Sequence, residues 1–323
     1  MISIDERWPQ LLEELQQGQV RKIVYVMGAN DSGKTTFCRY LQEALAIHFP
    51  TAYIDGDPGQ SQIGPPTTLG LQFTLPPPVQ PKRCFLRFVG ATTPRGHLLP
   101  TLAGIRKLTE RAIQAGALRI IVDSCGFVLE PPARELHFYL IDMIRPDHLI
   151  VFDSTNEVMK WARYFQRIQQ LNIHQLPVGP AVTLRSAEER RAYREEKFKN
   201  YFASARMQSL RLRGYGFHGR IPDLHRPETF RQRLIAFCDA ENWVLGLGLI
   251  EAMDWEQRVM KVLAPPFDAS RLAFIIFGSI HLNQNGQQIF PKVAVESSAI
   301  HSRSNSVPAD DQRTMPIVSH GRE

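Results

Sequence analysis

Zinc-type cysteine spacing, a long apolar run and any internal repeat are missing from this sequence, and each absence removes a class of protein. The four cysteines, Cys38, Cys84, Cys125 and Cys238, are scattered over 323 residues. They read as reduced thiols, not as a disulfide framework or a metal site. No His/Cys cluster with metal-ligand spacing and no Gly-x-Ser-x-Gly elbow occurs, so zinc chemistry and serine hydrolysis are not expected. No apolar stretch approaches the roughly 18 residues of a membrane span. The first ten residues are polar and include Asp5 and Glu6, unlike a signal peptide. A cytoplasmic protein without membrane association is expected.

Acidic charge is scarce in one region only. The net charge is +6, but between Arg185 and Arg233 there are 13 Lys and Arg against 6 Asp and Glu, a surplus of +7 that leaves the remainder near −1. The positive field is therefore local, which suits a polyanion approaching one side.

What the sequence does have is Gly28-Ala29-Asn30-Asp31-Ser32-Gly33-Lys34-Thr35-Thr36. An apolar, β-branched run from Lys22 to Met27 precedes it, and Phe37, Leu41 and Leu45 follow at helical spacing. Strand, glycine loop and helix with the spacing G-x-x-x-x-G-K-[ST] make a phosphate-binding loop. Its backbone N–H groups and helix N-terminus face the phosphates, Lys34 reaches the β- and γ-phosphates, and the Thr35 hydroxyl holds Mg²⁺.

Helices are expected over 5–17, 34–49, 98–115, 133–144 and 157–170, and strands over 51–55, 84–89, 118–122, 148–152 and 181–184. The prolines from Pro65 to Pro81 mark an irregular connection. Strands alternating with helices imply right-handed crossovers, a mainly parallel sheet and ligands at the carboxyl ends of the strands. A charged helix is expected over 186–205. Beyond it the pattern changes to strands over 209–213, 243–249, 258–263 and 272–277, with a helix over 228–237. The expected organisation is an N-terminal helix (1–18), an α/β domain (19–206), a smaller, mostly β domain (207–296) and a disordered tail (297–323), rich in Ser, His, Arg and Pro.

Three groups of residues beyond the loop could carry chemistry. Asp55 and Asp57 end the strand after the phosphate loop. Two carboxylates there can divide labour, one orienting Mg²⁺ or its waters and the other accepting a proton from a hydroxyl nucleophile, although an Asp-Gly-Asp-Pro-Gly run also forms a turn for its own sake. Asp123 ends an apolar strand, the position of an acid that holds Mg²⁺ through water. The base-reading Asn-Lys-x-Asp of GTPases has no counterpart in Phe152-Asp153-Ser154-Thr155-Asn156-Glu157. On the charged helix, Arg190 and Arg194 share a face and lack an acid three or four residues away, so both would gain from an external anion. A solvated helix face is the plainer reading; an arginine-bearing lid over a transferred phosphoryl group is the sharper one. His97, in the Gly90–His97 loop, could touch a substrate, though a lone histidine is more often structural.

Four stretches together resemble the polynucleotide 5′-hydroxyl kinases of RNA processing: Gly28–Thr36, Asp55-Gly56-Asp57-Pro58-Gly59-Gln60-Ser61, Asp123-Ser124-Cys125-Gly126-Phe127, and the Arg190-x-x-x-Arg194 helix followed by Tyr201-Phe202. The resemblance covers about 19–202 and implies a P-loop NTPase domain of α/β class, with ATP and Mg²⁺ as cofactors and an RNA or DNA 5′-hydroxyl end as acceptor. It makes Thr35 the Mg²⁺ ligand and Asp57 the general base, and places Arg190 and Arg194 in a lid over ATP; Asp55 and Asp123, as strand-end acids, remain the further metal candidates. Gln60, Ser124, Gly126 and Phe127 fall to substrate contact, as do Thr92 and His97 of a further similar loop. The family clasp Thr-x-Gly-Trp reads Ser124-Cys125-Gly126-Phe127 here, and the phenyl ring can still stack on a terminal base. A long N-terminal domain found in some eukaryotic members has no counterpart, which suggests a compact, prokaryote-like member. Two other readings compete with a kinase: a P-loop ATPase or GTPase that drives a partner's conformational change, and a non-catalytic ATP-bound scaffold in RNA processing. No protein partner can be named from the sequence.

Overall fold

In the computed structural model, which describes residues 5–77, 83–223 and 226–290, helix α1 (Arg7–Gln16) buries Trp8, Leu11 and Leu15 and leads into β1 (Lys22–Gly28). Then come α2 (Lys34–Leu45), β2 (Thr51–Gly56), β3 (Thr68–Thr74), β4 (Arg83–Phe88), α3 (Leu98–Gln114), β5 (Arg119–Ser124), α4 (Pro131–Ile144), β6 (His148–Phe152), α5 (Glu157–Ala162), β7 (Asn172–Leu176) and α6 (Ala187–Phe202). The first sheet has the order β4-β3-β2-β5-β1-β6-β7. From β2 to β7 along that order all neighbours run parallel, while β3 and β4 add an antiparallel hairpin at the edge.

Alternate residues of β1 serve two cores, as expected of a strand covered on both faces. Ile23, Tyr25 and Met27 pack toward α3 and α4, while Val24 and Val26 pack with Trp8, Phe37 and Leu41 from α1 and α2. Parallel register then fixes the site: Asp55 of β2 sits level with Asp123 of β5, and Asp123 with Val26 of β1. The loops after these three strands open at one edge of the sheet.

A second, largely antiparallel sheet contains β8 (Arg206–Arg211), β9 (Gly216–Gly219), β10 (Arg233–Cys238), β11 (Val244–Asp254), β12 (Val259–Ala264), β13 (Phe274–Leu282) and β14 (Gln288–Ile289). Its order is β14-β13-β10-β11-β12-β8, with β9 parallel to β13. It is joined to the first sheet by shared packing. Trp243 lies 5.2 Å from the Phe85 ring, and the backbone of Ser279 donates to Gly90 O at 2.8 Å. It also supports α6. Phe198 is buried with Leu234, Leu247 and Ile280, and Leu247 N donates to the Tyr201 hydroxyl at 2.7 Å.

Several local expectations are corrected. The strand expected over 181–184 is not formed; the edge strand is β7, whose Asn, His and Gln hid it from an apolar criterion, and the chain beyond it turns at Gly179-Pro180, with Val182 N donating to Gly179 O at 3.1 Å. The helix expected over 228–237 is instead β10, because the unbroken run Leu234 to Cys238 is buried between β11 and β13. The helix over 157–170 stops at Ala162 and tightens into a 3₁₀ turn over Arg163–Arg167. The proline-bounded connection holds β3, with its seven residues free of proline. The tail expected over 297–323 lies outside the described residues. Among the described residues no helix is long and apolar enough to cross a membrane.

Candidate active site

At the end of β1 the loop turns into α2 through Gly33, whose φ of +92° an L side chain rarely adopts. Lys34 is buried, and its ammonium donates to Ala29 O at 2.7 Å and to Ser32 Oγ at 3.4 Å. Asn30, Asp31, Ser32, Gly33, Lys34, Thr35 and Thr36 line a cavity of about 500 Å³. Gly28 and Ala29 lie behind them, with Gly28 close against the Phe152 carbonyl.

Thr35 Oγ1 donates to Asp123 Oδ2 at 2.7 Å, and the Tyr53 hydroxyl donates to the same oxygen at 2.9 Å. Among the described residues Asp123 Oδ1 is buried without a partner. Burial pushes the Asp123 carboxyl above its usual range, with the Lys34 charge opposing. An orphaned carboxylate oxygen next to a threonine hydroxyl is an oxygen-donor set of the kind that holds Mg²⁺, so Thr35 and Asp123 fit that ion.

Asp55 is engaged differently. Its Oδ2 accepts from Ser61 Oγ at 3.1 Å, Gln62 N at 2.5 Å and Ile63 N at 3.2 Å, and its Oδ1 accepts from Asp57 N at 3.3 Å. Burial raises it to about 7. Its oxygens therefore organise the turn, and Asp55 also lines the first cavity beside the phosphate loop. Asp57 stands at the tip. Its Oδ1 accepts from Gly59 N at 2.8 Å and Gln60 N at 3.0 Å, which fixes the carboxylate in the site. Asp57 and Gln60 border both the first cavity and a second of about 380 Å³, and Gln60 Oε1 is buried without a partner among the described residues.

Helix α6 is the expected lid. Ser186 and Glu189 form a capping box at its start. Arg190, without an intrahelical acid, finds one across the cavity: Nη1 donates to Asp31 Oδ2 at 3.1 Å. Arg185 donates to Asp31 Oδ1 from Nε at 2.8 Å and from Nη2 at 2.7 Å. Asp31, a phosphate-loop residue whose side chain is 4% exposed, thus ties the start of α6 to the phosphate loop. Tyr193 adds a second fastening, its hydroxyl donating to Ser61 O at 2.9 Å. Arg194 is half-buried, lines the second cavity, feels the charge of Asp57, and makes no ion pair among the described residues.

The second cavity is also lined by Thr92, Gly126 and Phe127. A Cβ on Gly126 would lie 1.8 Å from Asn30 Oδ1 and 2.7 Å from Asn30 N, so only glycine lets the loop after β5 lie against the phosphate loop. Ser124 lines the first cavity instead. His97 lines neither; it precedes α3, and its carbonyl accepts from Thr101 Oγ1 at 2.8 Å.

Phe127 is set by residues that carried no motif. His137 Nε2 donates to Phe127 O at 2.9 Å, which leaves Nδ1 to accept from the Tyr25 hydroxyl at 2.6 Å. Burial lowers His137 to about 4, so the ring is neutral. A folded value below the unfolded 6.5 means stability is full above pH 6.5 and declines as pH falls toward 4, by about 2 kcal/mol between pH 6.5 and 5. Asp55 has the opposite sign, because its folded value near 7 exceeds the unfolded 3.8 and its contribution is lost as pH rises between them. Urea unfolding of wild type and His137→Leu across this range isolates the histidine: the stability difference between the two is expected to shrink as pH falls. A pH-independent difference would count against a buried neutral ring.

Sequence reasoning also missed Arg185, His137, Tyr25, and the wall of the first cavity built by Trp8, Val182 and Thr183.

A parallel sheet with a glycine loop feeding a helix, a buried lysine in that loop and an acid on the adjacent strand defines a P-loop nucleotide-binding protein. A family model described as the P-loop of the mRNA cleavage and polyadenylation factor CLP1 matches residues 28–204, more than half of the chain, and the chain belongs to that family. It is 25% identical to a polyribonucleotide 5′-hydroxyl-kinase of Methanocaldococcus jannaschii over 82% of this chain and 88% of the relative. The polyribonucleotide 5′-hydroxyl-kinase Clp1 of Bos taurus is 26% identical, covering 70% of this chain and 51% of its own length. Clp1p, solved in complex with Pcf11p, shares the fold, with a TM-score of 0.66 at 17% identity over 85% of this chain and 79% of that one.

Proposed function

We propose that this chain is a polynucleotide 5′-hydroxyl kinase that transfers the γ-phosphate of ATP to the 5′-OH of RNA, with DNA as a further acceptor. The observation that carries the reading is the position of Asp57, on the border between the phosphate-loop cavity and the cavity under Phe127. A proton acceptor there stands between donor and acceptor. The names of the archaeal relatives support the same activity.

In this reading Asp57 takes the proton of the 5′-hydroxyl as its oxygen attacks the γ-phosphorus in line, and ADP leaves with the bridging oxygen. Lys34 and the lid arginines offset the charge that builds on the phosphoryl oxygens. Mg²⁺ held by Thr35 and Asp123 would neutralise the phosphates further. Phe127 stacks on the terminal base, and the arginine-rich lid meets the phosphates behind it.

The test is transfer of label from γ-labelled ATP to 5′-hydroxyl RNA and DNA oligonucleotides, with 5′-phosphorylated strands as controls. Label is expected only on 5′-hydroxyl ends; ATP consumption that ignores the oligonucleotide would favour a nucleotide hydrolase instead. Oligonucleotide affinity is expected to fall about tenfold or more between 50 and 200 mM salt, as phosphate contacts release counterions. Titration by fluorescence anisotropy checks this, and a flat salt profile would argue against an arginine-lined acceptor path.

A further inference from the structure

Sequence spacing excluded a metal cluster, yet folding assembles one group of potential ligands far from the phosphate loop. Glu14 comes from α1, His148 opens β6 and His174 lies in β7. The two histidines project from the face of the sheet that packs against α1, with Ile150, Phe152 and Leu176. Phe152, level with Gly28, is at the other end of β6.

His148 Nδ1 lies 3.3 Å from His174 Nε2 and 3.8 Å from Glu14 Oε1, and the three candidate ligand atoms all fall within 4.8 Å of one another. Ligands about 2.0–2.1 Å from a tetrahedral zinc lie roughly 3.3–3.4 Å apart, so the imidazole pair already has the separation the ion requires. A proton on one ring nitrogen can bridge the pair, and a cation would replace it. Lys22 donates to the Glu14 carbonyl at 2.5 Å, and among the described residues no lysine or arginine pairs with the Glu14 carboxylate. That carboxylate is partly exposed, giving an entry path and room for water as a fourth ligand.

We propose that Glu14 Oε1, His148 Nδ1 and His174 Nε2 bind a zinc-class divalent cation that clamps α1 to the edge of the parallel sheet. The ligand set of two imidazoles and one carboxylate suits Zn²⁺ or Co²⁺ and not Mg²⁺, which prefers six oxygens. The clamp bears on the nucleotide cavity, because Trp8 in the first turn of the same helix lines it and packs 5.0 Å from the Phe37 ring.

The test uses the untagged full chain, free of nucleotide and in excess Mg²⁺ so that oxygen-donor sites are filled. Zn²⁺ is added, the protein desalted and its metal content measured; Co²⁺ is followed by its visible absorption. One Zn²⁺ per chain, intense tetrahedral-type Co²⁺ bands and a rise in Tm of roughly 5 °C at saturating Zn²⁺ are expected. His174→Ala and, on the open helix face, Glu14→Gln should each lower affinity tenfold or more and abolish the Tm rise, while Thr35→Ala keeps the Co²⁺ bands. Wild type that holds no more zinc than His174→Ala overturns the assignment, as does loss of the Co²⁺ bands in Thr35→Ala.

Discussion

Asp57→Asn is expected to lower kcat for phosphoryl transfer by about 10²–10⁴-fold while leaving ATP affinity and thermal stability near wild type. Asparagine is the sharp substitution because of how the carboxylate is held. Oδ1 accepts from Gly59 N and Gln60 N, and an amide oxygen can keep both bonds. What asparagine lacks is an oxygen able to take a proton. Alanine would remove the turn contacts too and confuse a chemical loss with a structural one. Single-turnover labelling with saturating ATP checks the rate, and nucleotide titration checks affinity. Undiminished transfer would remove Asp57 as the proton acceptor.

Lys34→Ala is expected to reduce transfer by at least about 10²–10³-fold and, unlike Asp57→Asn, to weaken ATP binding as well. Lys34 is a buried cation in the loop, tied to Ala29 O and Ser32 Oγ. Its loss removes charge from the phosphate site and the internal bonds that shape the loop. Arginine is a poor substitute, since its planar fork needs space that a buried ammonium does not. Fluorescent-nucleotide binding and labelling rates separate the two effects. A variant that still binds and transfers normally would show that the charge offset lies elsewhere.

The parts legible in the sequence were those whose chemistry depends on short spacing. Gly28 to Thr36, the Asp55–Asp57 pair and the strand-end Asp123 are each local patterns, and the parallel sheet that brings them together followed from alternating strands and helices. Residues whose role depends on a distant partner were not legible. Arg190 was seen to lack a neighbour in its helix, but that its partner is Asp31 depends on where α6 lies over the loop. His137 carries no local pattern, since its role rests on Tyr25 and Phe127 O at its two ring nitrogens. His148 and His174 are 26 residues apart, and only the pairing of β6 with β7 makes them neighbours. The helix expected over 228–237 gives way to β10 because a short apolar run carries no period of its own.

Helix α6 is fastened near its first turn by Asp31 and near its last by Phe198 and Tyr201. A stiff rod pinned at both ends, and at Tyr193 between them, cannot swing like a door. Residues four apart differ by only about 40° around a helix axis, so Arg190 and Arg194 are presented together on one side of that rod, in a placement that the second sheet, as one of its bearings, helps to hold.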